Sequence, residues 1–290
     1  MTLIRIGTSG WSYKEWIGPF YSESKGMLTE YTKTFTTVEV DSSFYRYPDE
    51  RMVHAWARRG PPDFRYALKI PGLITHEKKF DPSQGIMKDL QRFLDIVEPL
   101  KRNEKLGPLL FQMPPSYRAN LDQLENVLTM LPEGYLYSIE FRHPSWLQAG
   151  TWKILRESNV AYTIVDEPLL PPDIILTSKD FAYVRWHGRG KSPWYNYNYS
   201  EEELEKWVPK VRELENKSPA VYGYFNNHFH GFAVANALQL TKMLGRMTEE
   251  QQGSLRNIVQ YLKNPREKRT ADSSGQGSSQ KSLSDFLGND

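Results

Sequence analysis

Three acidic side chains and three basic ones define the chemistry within reach of this sequence. Glu39, Glu140 and Asp166 are the acids, and Lys69, Arg185 and His187 stand in comparable positions. Each lies near the C-terminal end of a short apolar run, as in TVEVDSS, YALKIP, YSIEFR, TIVDE and YVRWHG. Carboxylates beside cations can exchange protons with a substrate, hold a divalent metal, or grip a phosphate next to an attacking water. A lysine inside a protein can also lose its proton and form a Schiff base with an abasic sugar. The same residues suit a plain salt-bridge network, Glu39 with Lys69 and Glu140 with Arg142, which perturbs protonation without catalysis.

Polar and aromatic neighbours fit substrate binding: Trp11, Gln112, Arg142, His143, Asn226 and Asn227. The run Asn227-His228-Phe229-His230 brings histidines into the set, but no His-x-x-x-His or His-Glu-x-x-His spacing accompanies it. A divalent metal therefore stays open, Mg2+ or Mn2+ on the carboxylates or Zn2+ with histidines. Loop 187–200, HGRGKSPWYNYNYS, interleaves Arg189 and Lys191 with Trp194, Tyr195, Tyr197 and Tyr199. Basic groups can hold phosphates while rings stack on exposed bases. Stacking on sugar rings, or a rigid lid over the mouth, would use the same composition.

These residues need a frame that brings separate strand ends together. Strand-like runs occupy 3–9, 36–44, 65–71, 107–114, 136–142, 161–167, 181–188 and 220–227. Helix-like stretches fall between most of them, at 49–60, 82–103, 120–131 and 200–214. Such alternation argues for a parallel sheet, and about eight units fit a closed (β/α)8 barrel. In that barrel the C-terminal strand ends converge on one mouth. Period-two alternation turns Val38 and Val40 toward the helices and Glu39 and Asp41 toward the axis. Neither a Gly-x-Gly-x-x-Gly after the first strand nor a Walker loop is present, so the common nucleotide folds lose support.

Composition narrows the class further. The 290 residues suit one barrel with a tail, and 39% hydrophobic with 25% charged residues suits a folded core. Cysteine is absent, which removes disulfides, thiolate zinc sites, iron–sulfur clusters and cysteine nucleophiles. A formal net charge of +2 provides no global field toward polyanions, so any such site must be a local patch. The chain starts directly in strand-like sequence and contains no run of the roughly 18 to 20 apolar residues that a membrane span needs. The expectation is a cytoplasmic protein without membrane contact.

The motifs GTSGWSYKEWIGPFY, TVEVDSSFYRYP, FRYALKIP, FQMPPS, IEFRHPSW, YVRWHGR and YGYFNNHFHGFAVANA resemble those of the YecE-like family. The resemblance runs over nearly all of residues 3–245 and implies a TIM-like barrel without fixing its chemistry. A second resemblance lies at the C-terminus, where a Ser/Gly-rich stretch leads to QKSLSDFLGND. Gln280, Leu283, Phe286 and Leu287 resemble the sliding-clamp (PCNA) interaction peptide, a Gln, an aliphatic residue three positions on and an aromatic pair. Leu287 departs from the pattern, which usually has a second aromatic there. One helical turn would put Leu283 and Phe286 on one face, ready for an apolar groove.

The expected organisation is a barrel with a terminal helix over 1–262, a flexible linker over 263–279 and a clamp-binding peptide over 280–290. The expected function is a DNA-processing or repair enzyme, a nuclease or a damaged-base or abasic-site hydrolase, recruited to the PCNA clamp. A carbohydrate hydrolase or isomerase and a non-catalytic, clamp-bound DNA or nucleotide module are the alternatives. Micromolar clamp affinity, around −8 kcal/mol, is expected because a free segment must order on binding. Phe286→Ala, or deletion after Pro265, is expected to abolish association with the cognate clamp in calorimetry. Neither change should alter the melting of the barrel.

Overall fold

Eight runs of β-branched and aromatic residues form eight parallel strands in the computed structural model, which describes residues 2–191 and 193–263. The strands are β1 (Leu3–Thr8), β2 (Thr37–Val40), β3 (Arg65–Lys69), β4 (Leu106–Gln112), β5 (Tyr137–Glu140), β6 (Ala161–Asp166), β7 (Ala182–Trp186) and β8 (Ala220–Phe225). The helices are α1 (Met27–Thr34), α2 (Ser42–Tyr45), α3 (Glu50–Arg58), α4 (Ile86–Arg102), α5 (Leu121–Thr129), α6 (Ala149–Glu157), α7 (Glu201–Lys217), α8 (Phe232–Met243) and α9 (Glu249–Lys263). Side-chain caps start several of them. Asp49 accepts from the Met52 amide at α3, and Ser200 and Glu203 form a reciprocal capping box at α7. Among the described residues no helix is long and apolar enough to cross a membrane.

The ladder runs β1-β8-β7-β6-β5-β4-β3-β2. A single bridge, Ser9 to Glu39, joins β1 to β2, so the sheet is a nearly closed TIM-like barrel. The Tyr31 hydroxyl of α1 fills the seam. It accepts from the Thr8 amide at 3.0 Å and reaches the Thr37 carbonyl at 3.1 Å, replacing a direct strand-to-strand bond. Gly7 permits the approach, because a Cβ there would lie 2.4 Å from the Thr37 carbonyl oxygen. Helix α9 packs on α1 and α8, and its Gln251 amide donates to the Thr34 carbonyl at 2.8 Å.

Two elements depart from the expected pattern. The second strand stops at Val40 rather than continuing to residue 44, because Asp41 opens the short turn of α2. The Ser43 hydroxyl holds that turn, 2.8 Å from the Val40 carbonyl and 2.7 Å from that of Lys69. No helix separates β6 from β7. Pro168, Pro171 and Pro172 deny the intervening segment a helical ladder. It runs instead beside β6, with the Thr177 hydroxyl accepting from the Tyr162 amide and donating to the Val160 carbonyl, both at 2.7 Å.

Apolar packing divides in two. Val38, Val40, Ile139 and Phe141 face outward into the larger core beneath the helices. Ala67, Leu110, Ala161, Phe181, Tyr183, Tyr222 and Tyr224 form a separate core. Glu39 faces the opposite way from its valine neighbours and reaches Tyr183 on β7, as the period of two requires. Tyr31→Phe is expected to lower the unfolding free energy by about 1–3 kcal/mol, since it strands a buried amide and carbonyl. Urea denaturation measures the loss, and hydrogen exchange at the Thr8 amide should accelerate.

Candidate active site

Arg185 on β7 is fully buried and has one carboxylate on each side. Its Nε and Nη2 donate to Glu39 Oε1 of β2 at 3.1 and 2.7 Å, and Nη1 donates to Glu140 Oε2 of β5 at 2.6 Å. The remaining acceptor sites are also engaged. Ser9 donates to Glu39 Oε1 and Tyr183 to Oε2. Gln112 and Arg142 donate to Glu140 Oε1 at 2.8 and 2.9 Å. Burial alone would raise the Glu140 carboxyl, but the charges of Arg185 and Arg142, with the adjoining His187 ring, hold it well below the usual range. Arg185 is correspondingly held cationic by Glu140 and Glu39 against the cost of burial. Neither glutamate can take a proton or a metal without first giving up part of this arrangement.

His187 closes the same cluster. Burial, reinforced by the Arg185 charge, pushes its imidazole down to about 4, so it is neutral at pH 7. The Asn226 amide faces Nδ1 at 3.0 Å, and Nε2 lies 3.3 Å from Arg185 Nη1 and 3.5 Å from Glu140 Oε2. Lys69 donates to Gln112 at 2.9 Å and lies 3.4 Å from Asp41. The pair expected between Glu39 and Lys69 is absent because Arg185 occupies Glu39, whereas the Glu140–Arg142 pair forms. Burial lowers the Lys69 ammonium from its ordinary value.

Glu167, passed over in the sequence reading, belongs to this mouth. Thr163 faces the axis, where its hydroxyl meets that of Ser138 at 2.6 Å. Alternation along β6 then turns Val165 and Glu167 inward and Asp166 outward. Asp166 accordingly binds Trp207 of α7 at 2.8 Å and Arg189 at 2.7 Å, away from the other carboxylates. Glu167 is buried, and neither of its oxygens has a hydrogen-bond partner among the described residues. Burial raises its carboxyl to about 7, with the Arg142, Glu140 and Arg185 charges acting on it. The spacing Thr163-x-Val165-x-Glu167 carried this signal in the sequence. His76 was also missed; it lies on a π-helical turn (Leu73–Glu77) after β3, where no strand or α-helical period marks it.

Most of loop 187–200 is packed rather than offered to a ligand. Arg189 is tied to Asp166, the Tyr199 hydroxyl accepts from the Gly188 amide, and Tyr197 donates to Glu203. Tyr195 is buried and stacks on His228 at 5.5 Å. Trp194 is half-buried and Lys191 exposed. Asn227 donates to the Tyr197 carbonyl and to Asn236 of α8, both at 2.8 Å, so it anchors the loop. His143 caps a turn by accepting from the Ser145 amide at 3.1 Å. Trp11 packs edge-on against Trp56. His228 stacks on Tyr13 at 4.5 Å, whereas His230 turns outward to within 3.8 Å of Glu15. Among the described residues no three His, Asp or Glu side chains converge as a metal-ligand group. Residues 264–290, with most of the expected linker and with Gln280, Leu283, Phe286 and Leu287, lie outside the described residues.

A parallel eight-stranded barrel with its ionisable side chains gathered at the C-terminal strand ends defines the class, a TIM-like barrel with a polar mouth. Residues 5–258 match the family described as "Protein of unknown function DUF72", and the chain belongs to that family. It is 26% identical over 271 residues to the UPF0759 protein YunF of Bacillus subtilis, covering 83% of this chain and 95% of YunF. To YecE of Escherichia coli K12 it is 28% identical over 149 residues, 51% of this chain and 52% of that one. The crystal structure of a DUF72 family protein from Thermotoga maritima superposes with a TM-score of 0.75 at 34% identity, covering 84% of this chain and 99% of that one. One from Enterococcus faecalis gives 0.71 at 24% identity over 84% and 98%. The expected YecE-like membership and barrel therefore hold.

Arg185→Met is expected to lower stability by about 3–5 kcal/mol, because it leaves buried Glu39 without a cation and Glu140 with Arg142 alone. The depressed Glu140 carboxyl contributes stability that is present above its unfolded value of 4.5 and is lost as acid protonates the folded form. Urea midpoints of the parent should therefore fall on acidification below that value. The fall should be shallower in Arg185→Met, whose Glu140 has lost its main partner.

Proposed function

We propose that the chain is an acid–base enzyme acting on a small polar substrate, with Glu167 as its proton-carrying group. One observation carries this reading: a carboxyl buried in the mouth, bound to nothing, and poised near 7. A group with that poise can take a proton from a substrate and return it at neutral pH. Glu39, Arg185 and Glu140 act as a fixed charged floor, with the neutral His187 ring packed beside it. Lys69 and Arg142 border the same space and would steady negative charge that develops on a substrate oxygen. Saturation of Glu39 and Glu140 weighs against their use as the carboxylate pair of a glycosidase. It favours chemistry with one acid–base group, of the carbohydrate-isomerase kind. The exposed ring of Tyr45, 53% accessible just beyond β2, suits stacking on a sugar face.

A second reading places the same acid–base group on DNA, in a repair hydrolase or nuclease recruited to the PCNA clamp. It is favoured by the sequence Gln280, Leu283, Phe286 and Leu287 at the C-terminus. Lys191 and half-buried Trp194 are the loop residues it would use. One panel separates the two: unmodified sugars and sugar phosphates in D2O, beside damaged DNA oligonucleotides, each with and without divalent metal. Deuterium entering a sugar supports the first reading, whereas cleavage of DNA supports the second.

Glu167→Gln should abolish whichever conversion the panel reveals while leaving the fold intact. Folded Glu167 titrates above its ordinary value of 4.5, at about 7. The stability it contributes is therefore complete below 4.5 and is lost as pH rises through about 7. The variant should keep that stability and so exceed the parent by about 3 kcal/mol at pH 8 and by little at pH 4. A carboxyl resonance of Glu167 with a midpoint near 4 would overturn the acid–base role.

A further inference from the structure

We propose that Lys69, Arg142 and His76 form a cradle for a phosphoryl group, so that the substrate of this mouth is a small phosphorylated molecule. The proposal rests on the reading of the mouth given above and names its substrate class. Arg142 follows β5 by two residues, is 11% exposed, and uses only its Nε on Glu140. Its terminal nitrogens have no partner among the described residues, leaving the planar fork free for an oxyanion. Lys69 ends β3 and donates to Gln112, with Asp41 at 3.4 Å, which leaves one of its three N–H groups unassigned. His76 sits on the π-helical turn after β3 with Nδ1 beside the Thr75 hydroxyl at 2.9 Å, and Nε2 has no partner among the described residues.

Phe44 of α2 sets the spacing of two of these groups. Lys69 Nζ lies 4.5 Å from its ring centre, and His76 meets it edge-on at 4.8 Å. A side chain at Gly72 would bring a Cβ within 2.9 Å of the same ring, so glycine lets the turn close on it. The charges bearing on His76 are those of Lys69 and Arg142 and are both positive; with burial they push its imidazole down to about 4. An oxyanion between these groups would oppose both cations at once and would favour a protonated His76. A phosphate monoester carries the two negative charges that Lys69 and Arg142 can match, and its tetrahedral oxygens suit donors arriving from separate elements. No helix N-terminus is needed, unlike the common phosphate sites of barrels.

The test uses the full chain and inorganic phosphate, followed by calorimetry and by the imidazole resonances of His76. Phosphate should bind and shift the His76 resonances in the unmodified protein. Arg142→Gln should weaken binding roughly tenfold, and Arg142→Lys should restore part of it, as loss and partial return of one charge-assisted contact require. His76→Asn should weaken binding about threefold. A hexose phosphate that binds more tightly than a 5′-phosphorylated oligonucleotide supports the small-molecule source, whereas the reverse order overturns it. Absence of phosphate binding, or equal binding by all variants, overturns the cradle. The separately measured Glu167 titration does not depend on phosphate, so either proposal can fail alone.

Discussion

A buried guanidinium shared by two buried carboxylates is the constraint on which the rest of this barrel depends. Removing three charges from water costs more than their mutual attraction returns unless the geometry is close and every remaining lone pair finds a donor. Arg185 meets Glu39 and Glu140 only if β2, β5 and β7 keep their separations. The donors that complete the set are Ser9 just after β1, Gln112 of β4, Arg142 just after β5 and Tyr183 of β7. Tyr183 belongs at the same time to the inner apolar core. The charged floor and the aromatic packing are therefore one unit, and the single-bridge seam between β1 and β2 carries Glu39 itself.

Much of this was legible in the sequence, and the reason is periodicity. Seven strands lie within their expected runs and β4 starts one residue before its own, and Glu39 points inward because its valine neighbours must point outward. Loss of legibility follows loss of that constraint. At Val40 the outward need for apolar residues ends, and the turn of α2 is set by the Ser43 hydroxyl, which no pattern announces. At β6 the alternation continues one residue beyond the strand, so Glu167 and not Asp166 reaches the axis. Partner choice was also hidden. Strand position alone cannot say that a forked guanidinium, rather than Lys69, would meet Glu39, because the decision is made across the barrel between residues far apart in the chain.

The ionisable groups of the mouth fall into two populations. Glu39, Glu140 and Arg185 are saturated, and their interest lies in rigidity. Among the described residues the Glu167 oxygens, the terminal nitrogens of Arg142 and Nε2 of His76 lack partners, and for buried Glu167 that arrangement costs stability in the free protein. Such groups persist where the surrounding structure over-determines them. A saturated floor supplies that over-determination here, since Arg142 is fixed through Nε by Glu140 and can leave its other donors exposed.

The loop after β7 extends the same division outward. Its anchors run to the helices and not to the floor: Arg189 to Asp166, which is braced by Trp207 of α7, and Tyr197 to Asn227, which is braced by Asn236 of α8. Gly188, in the left-handed region at φ +89°, joins this framework to His187, whose backbone amide also donates to the Asp166 carbonyl at 3.0 Å. A side chain there would bring a Cβ within 2.7 Å of the Trp194 carbonyl oxygen, so the fold of the loop requires glycine at that point. The residues whose composition suggested a nucleic-acid grip are thus largely struts that tie the loop to α7 and α8.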